Sequence, residues 1–330
     1  MHYAILTQAL GETGMHETGQ KIATGTAPGK VILFGEHAVV YGRPAIAVPV
    51  AEVQARAEVR LGEPGQGVIL DARDLGMRVR LSEAAPDDAL AVIVSKTLAH
   101  LEIPPQPDLT ITVESTVPIA RGLGSGAAVS TAVVRSLARY FARHLTARGV
   151  SDLVYEAEKL YHGNPSGIDN TVIAFGKPVY FIRGRALEIF WVRAPFTLAI
   201  ADTGIVSQTK DVVADVRRAY EENLGKYEYL FDQIGEIAAL GRAAIETGNL
   251  TELGGLMNRN HALLQAVGVS CPELDRMAQA AMEGGALGAN LSGAGRGGNL
   301  VSLVTPESRG RVEMFLRMAG AKRVIITEVS

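Results

Sequence analysis

A chain of 330 residues that is 47% hydrophobic and 20% charged reads as a soluble globular protein of two domains. Its net charge of −3 and the absence of a Lys/Arg run argue against a nucleic-acid partner. A lone cysteine, Cys271, excludes an internal disulfide framework and a cysteine-based zinc site, and no apolar run approaches membrane-spanning length.

Residues 2–20 lack a basic region followed by an apolar core, so no secretory signal is expected and the cytoplasm is the expected compartment. Residues 1–21 read as an extension, with Met15 as an alternative start. Ile22–Ala27 predicts a strand that leads into residues 28–50, where Gly35, Glu36 and His37 interrupt two apolar runs. A buried strand pair does not place Gly-Glu-His at its centre without a use for it. Val53, Ala55, Ala57, Val59 and Leu61 alternate with polar residues, the period of a half-buried strand. Short strands are expected at Gly67–Asp71 and Met77–Leu81, a helix over Asp87–Leu101, and a strand over Leu109–Val113.

A glycine-rich turn then opens a helix: Gly122, Gly124 and Gly126, followed by Val129, Val133, Leu137 and Tyr140 at helical spacing. A helix whose first turn is Gly, Ser and Ala offers free N–H groups and a positive dipole end to an anion. No Gly-Lys-Ser/Thr follows, so it is not a Walker A loop. Gly122, Gly124 and Ala127 satisfy the weak dinucleotide fingerprint, but Phe141 to Gly149 holds no ribose-binding acid.

Ser151 is read as the cap of a helix over Asp152–Tyr161, followed by the turn-rich HGNPSGIDN at 162–170. Asp169 there begins a further helix, where a carboxylate serves as cap or dipole partner. Strands are expected at Pro178–Ile182, Ala186–Val192 and Thr197–Ala201, with a domain boundary near Pro195. Helices follow over Ser207–Glu222, Leu224–Thr247, Leu250–Leu264 and Pro272–Glu283. Residues 285–304 read strand, glycine loop, strand; a helix over Glu307–Ala319 and a strand over Arg323–Glu328 close the chain. Mixed strands and helices in both halves give an α+β fold.

Three separated motifs, APGKVILFGEHAVVYG (27–42), PIARGLGSGAA (118–128) and LSGAGRGGN (291–299), together resemble the signatures of the GHMP kinases. The resemblance runs from about Thr24 to the C-terminus and is strongest to the mevalonate kinase branch, on the Gly-Glu-His-Ala-Val-Val-Tyr-Gly of the first motif and on HGNPSGIDN. It implies a ribosomal-S5-like N-terminal α/β domain over 22–194 and a ferredoxin-like C-terminal domain over 195–330. It also implies ATP and Mg2+ as cofactors and mevalonate as a small-molecule substrate. Neither nucleic acid nor membrane is an expected partner, and a homodimer is the assembly to test.

The resemblance assigns roles residue by residue. Asp169 resembles the carboxylate that takes the acceptor alcohol's proton, and Lys30 resembles the active-site lysine. Pro118, Arg121, Gly122, Leu123, Gly124, Ser125, Gly126, Ala127 and Ala128 match the nucleotide loop. Ser125 and Glu158 fall at the magnesium-ligand positions, with Glu156 close enough in sequence to be confused with Glu158. Glu36, His37 and, more loosely, Thr209 with Lys210 match the substrate side.

Two departures stand out: Gly126 replaces the family's second serine, and Arg296 interrupts the glycines of the third motif. Arg296 is expected either to touch nucleotide phosphates or to face solvent. Three rival readings remain: a phosphomevalonate kinase or other GHMP kinase, an NAD(P)-dependent oxidoreductase, and a non-catalytic sensor on the same fold. The first rival would need extra cations near the acceptor, and the first motif offers few.

Overall fold

The structure is a computed structural model that describes residues 13–15, 21–119, 121–162, 166–207 and 209–330, with backbone alone at 13–15 and 160–162. Most of the N-terminal extension and residues 163–165 of the HGNPSGIDN segment lie outside the described residues. The chain divides into two compact units that interleave in sequence: residues 1–29, 53–118 and 124–176, and residues 30–52, 119–123 and 177–330. The single cut expected near residue 195 does not describe this division. The cause is strand length. β2 (Lys21–Phe34) and β3 (Ala45–Leu61) each begin in one unit and end in the other.

In the first unit, β1 (Thr13–Met15) pairs with the start of β2. The second half of β3 pairs antiparallel with β6 (Leu109–Ser115), which runs parallel to β4 (Val68–Ala72). β5 (Met77–Arg80) closes that edge. The alternation in β3 is realised: Val53, Ala55, Ala57 and Val59 are buried while Glu52, Gln54 and Arg56 are exposed.

The helices of this unit are α1 (Ala89–His100), α2 (Ser125–Tyr140), α3 (Ala147–His162) and α4 (Ile168–Phe175). α2 packs against each of the other three. The Asp88 carboxylate caps α1 by accepting from the Ala91 N–H at 2.8 Å, worth about 1 kcal/mol. α2 lies directly on β2, since a Cβ at Gly25 would stand 2.2 Å from the Ala132 carbonyl oxygen. Arg135 of α2 is buried and donates to the Thr26 carbonyl at 2.6 Å and the Ala174 carbonyl at 2.7 Å. Burial lowers its pKa to about 10, and one carbonyl of β2 and one at the negative end of α4 take the place of a carboxylate partner.

Two expectations fail locally. α3 starts at Ala147, four residues before the expected cap, because the Thr146 hydroxyl accepts from the Gly149 N–H at 3.1 Å. Ser151 is therefore an interior residue whose buried hydroxyl serves α4. The strand expected over Ala186–Val192 shrinks to β8 (Glu188–Ile189) at a sheet edge, where Trp191 is exposed and carries Lys177 over its ring.

In the second unit, the start of β3 pairs with β7 (Val179–Phe181), which pairs with β8. A separate four-stranded antiparallel sheet has the order β10 (Gly288–Ser292), β11 (Asn299–Val304), β9 (Phe196–Asp202), β12 (Arg323–Val329). The helices of the unit are α5 (Thr209–Glu222), α6 (Leu224–Thr247), α7 (Leu250–Val267), α8 (Pro272–Glu283) and α9 (Arg309–Met318). Their core holds Phe231, Ile234, Leu264, Leu274, Leu291, Leu300 and Leu316.

β10 is an edge strand, and α7 covers its free donors. The Ala289 N–H donates to the Asn258 side-chain oxygen at 2.9 Å, and the Leu291 N–H to His261 Nδ1 at 3.3 Å. An exposed row of unpaired edge groups is thereby satisfied by side chains.

Candidate active site

Within the first unit the glycine-rich loop delivers α2. Gly124 is its N-cap in the left-handed region, φ 73°, ψ 33°, a conformation that costs glycine nothing and other residues about 1 kcal/mol or more. Among the described residues no side chain caps this end. The first-turn N–H groups of Ser125, Gly126 and Ala127 therefore await an acceptor from outside the helix. A Cβ built at Gly122 or Gly126 meets no atom within 4 Å, so the cradle has room for a ligand. An uncapped, positively polarised and open helix end suits a phosphate-bearing group.

Glu158 lies on α3, seven residues after Ser151 and so on the same face. Glu158 is half-buried, whereas Glu156 is exposed and paired with Lys159 at 2.5 Å, which separates the two acids that the sequence left close. α4 begins after Gly167, its first N–H, that of Ile168, donating to the Ser166 hydroxyl at 3.3 Å, and Asp169 sits half-buried in its first turn. Its neighbours fix the backbone there. The Asn170 amide donates to the Ser151 hydroxyl at 2.9 Å and to the Ser151 carbonyl at 3.0 Å. The Thr171 hydroxyl donates to the Gly167 carbonyl at 2.8 Å.

The second unit assembles the first and third motifs with the start of the glycine loop. Lys30 is buried, and its N–H donates to the Leu123 carbonyl at 3.0 Å. Asn290 of β10 donates to the Leu33 carbonyl at 3.0 Å and Ser292 to the Ile32 carbonyl at 2.7 Å, so β10 side chains staple the end of β2. Glu36 is 1% exposed, with the Asn260 amide at 3.2 Å from one oxygen and the Asn290 amide at 3.5 Å from the other. His37 is buried in the left-handed region at φ 59°, its Nε2 2.9 Å from the Ala294 carbonyl. Burial lowers its pKa, so the ring is held neutral as the donor in that contact.

Thr209 and Lys210 are exposed at the start of α5, away from these buried contacts. Arg296 is exposed, as the second of its two expected settings has it, and is also paired. Its guanidinium is 2.5 Å from Asp215 on α5 and its N–H donates to the Val269 carbonyl at 2.7 Å, so it ties the third motif to the body of this unit.

Asn260, Asn290 and Asp202 were absent from the sequence reading. One signal was available: asparagine is depleted in strands, and Asn290 stands in the middle of a wholly buried one. Lys30 belongs to one unit and Asp169 to the other.

The Glu36 environment makes a testable statement about stability. Burial raises its pKa from 4.5 to about 8, against the opposing pull of its amide donors and of Lys30. The folded state then holds a proton that the unfolded chain has released between pH 4.5 and pH 8. Stability contributed by this group is full below pH 4.5 and is lost as pH rises through 8. Glu36→Gln should abolish that decline, so that its denaturant midpoint changes less than the parent's between pH 5.5 and 8.5. Equal pH dependence in the two proteins would mean that Glu36 is ionised well below pH 8.

Comparison with known proteins agrees with this geometry. The GHMP kinases N terminal domain model matches residues 89–177 and the GHMP kinases C terminal model residues 242–320. A mevalonate kinase of Pyrococcus horikoshii is 35% identical over 329 residues, covering 94% of this chain and 96% of the relative. One of Thermococcus sibiricus is 34% identical over 323 residues, covering 92% and 95%. The crystal structure of L. major mevalonate kinase in complex with R-mevalonate superposes with a TM-score of 0.81 at 30% identity, covering 94% of this chain and 97% of that one. The chain belongs to the GHMP kinase family and within it is most like the mevalonate kinases.

Proposed function

We propose that the protein is an ATP- and Mg2+-dependent kinase that phosphorylates the primary hydroxyl of mevalonate to give mevalonate 5-phosphate. The observation that carries this reading is the open, uncapped N-terminus of α2 behind Gly124, in a chain of this family. In this reading Asp169 accepts the proton of the acceptor hydroxyl as its oxygen attacks the γ-phosphorus and the bond to ADP breaks. The N–H groups of residues 125–127 hold phosphate oxygens, and Lys30 offsets the charge carried by the transferring group. Glu36 and His37 act through buried contacts, Glu36 to α7 and β10 and His37 to the third motif, and so shape the acceptor pocket from behind. Thr209, exposed at the start of α5, is kept on the substrate side by the resemblance alone. A homodimer and a cytoplasmic location complete the reading; among the described residues no helix is long and apolar enough to cross a membrane.

Among the described residues no group of three His, Cys, Asp or Glu is placed to hold a metal. A magnesium ion would instead take Glu158, the Ser125 hydroxyl, water and nucleotide phosphates, a donor set it commonly accepts. When bound it would neutralise phosphate charge. Position 126 offers a direct probe, because a side chain there meets nothing within 4 Å and the residue is helical. Gly126→Ser should fold, should gain about 0.5 kcal/mol of helix stability, and should lower the Mg2+ concentration for half-maximal rate. Ser125→Ala in the parent should raise it. An unchanged Mg2+ dependence in both would leave the metal to Glu158 and water.

The experiment that tests the reading is ATP consumption with mevalonate, phosphomevalonate, galactose and homoserine, each at several concentrations. Mevalonate should have the highest kcat/KM. A higher value for phosphomevalonate would overturn the assignment in favour of the neighbouring branch.

A further inference from the structure

Asp202 ends β9 and belongs to none of the three motifs. Its Oδ1 accepts from the Gly204 N–H at 2.8 Å, and its Oδ2 lies 3.5 Å from Arg121 Nε. The two side chains are only 15% and 24% exposed, so this is a partly desolvated pair. Asn299, its register partner on β11, donates its amide to the Arg121 carbonyl at 2.5 Å. Opposed residues of an antiparallel pair project to one face, so Asp202 and Asn299 reach Arg121 together. Two residues on, the Leu123 carbonyl accepts from the Lys30 N–H. Residues 121–123, immediately before the Gly124 cap of α2, are thus held by β9, β11 and β2.

The other carboxylate oxygen serves a second loop. Residues 203–207 lie over the third motif: the Thr203 hydroxyl donates to the Gly298 carbonyl at 2.9 Å and the Ser207 hydroxyl to the Gly295 carbonyl at 2.5 Å. That loop leads to Thr209. Arg121 Nη1 is buried with no protein acceptor among the described residues. A buried guanidinium donor left over at such a place is unusual unless a ligand supplies the acceptor.

We propose that Asp202 is a positioning residue: one carboxylate holds both the loop that presents the α2 cradle, through Arg121, and the loop that leads to Thr209, through Gly204. Arg121, oriented by Asp202 Oδ2, keeps its Nη1 for a nucleotide phosphate. The proposal rests on the kinase reading above.

The two oxygens can be separated by mutation. Asp202→Asn retains an acceptor for the Gly204 N–H but loses the charge that orients Arg121, and Arg121→Gln removes the other partner. Each should weaken ATP binding about tenfold, as for loss of one charge-assisted hydrogen bond. The KM for mevalonate should change less than twofold. Because both act through one contact, the double variant should bind ATP no more weakly than the worse single one. ATP titration by calorimetry, with melting curves and both KM values, reads these effects. A purely structural role would lower the melting temperature and raise both KM values together, and that result overturns the proposal. Equal ATP affinity in parent and Asp202→Asn also overturns it. A parent that binds no ATP would bring down the kinase reading and the proposal with it.

Discussion

Asp169→Asn should fold, melt close to the parent and still bind ATP, yet lose at least two orders of magnitude in kcat. The structural cost is small because the start of α4 has further anchors, and the amide keeps the shape of the carboxylate. Gly167 forms the N-cap, Thr171 returns a hydrogen bond to Gly167, and Asn170 is anchored on Ser151. Losing the charge from the first turn costs about 0.3–1 kcal/mol through the helix dipole. The chemical cost is larger. General-base assistance is worth about a hundred- to ten-thousandfold, or roughly 3–5 kcal/mol on the barrier. The amide preserves shape while removing the proton acceptor. A variant that keeps more than about a tenth of parental kcat would remove Asp169 from the mechanism.

Gly288→Ala should be strongly destabilising, although it adds a single methyl group. A Cβ at Gly288 would lie 2.0 Å from the Gly254 carbonyl oxygen, and one at Gly254 would lie 2.4 Å from the Leu287 carbonyl oxygen. Backbone stands on both sides, so no side chain can rotate away; α7 and β10 must separate. Separation would lengthen the Asn258–Ala289 and His261–Leu291 bonds that satisfy the edge of β10. It would also open the contact between Asn260 and Asn290, now 3.0 Å, and with it the setting of Glu36. Overpacking with side-chain relief costs about 1–3 kcal/mol. Without relief, a loss of about 3 kcal/mol or more is expected in denaturant unfolding. A loss below about 1 kcal/mol would show that α7 can shift without penalty.

Much of the candidate site was legible because its residues sit in contiguous motifs. A phosphate cradle needs glycine at fixed spacing before a helix, and Gly122, Gly124 and the start of α2 are adjacent in sequence. Hydrophobic period marked β3 and the helices of the second unit. The errors share a different cause. Ser151 carried the signature of a cap, but its partners, Asn170 and Thr171, lie about twenty residues on. For Arg296 the sequence left two settings open, and its partner Asp215 lies 81 residues earlier.

The sequence by itself determined the family, the α+β class, the position of the glycine-rich loop that opens α2 and the residue types in its motifs, since each depends on local spacing. Only the tertiary structure decided that β2 and β3 run through both compact units, and that Glu36 lies wholly buried between α7 and β10. It also decided that Asp202 and Asn299 converge on Arg121. Those outcomes depend on strand register and on two glycines that let a helix touch a strand. Such contacts join residues 81 to 257 positions apart, where a side chain's role is set by its partner and not by its neighbours.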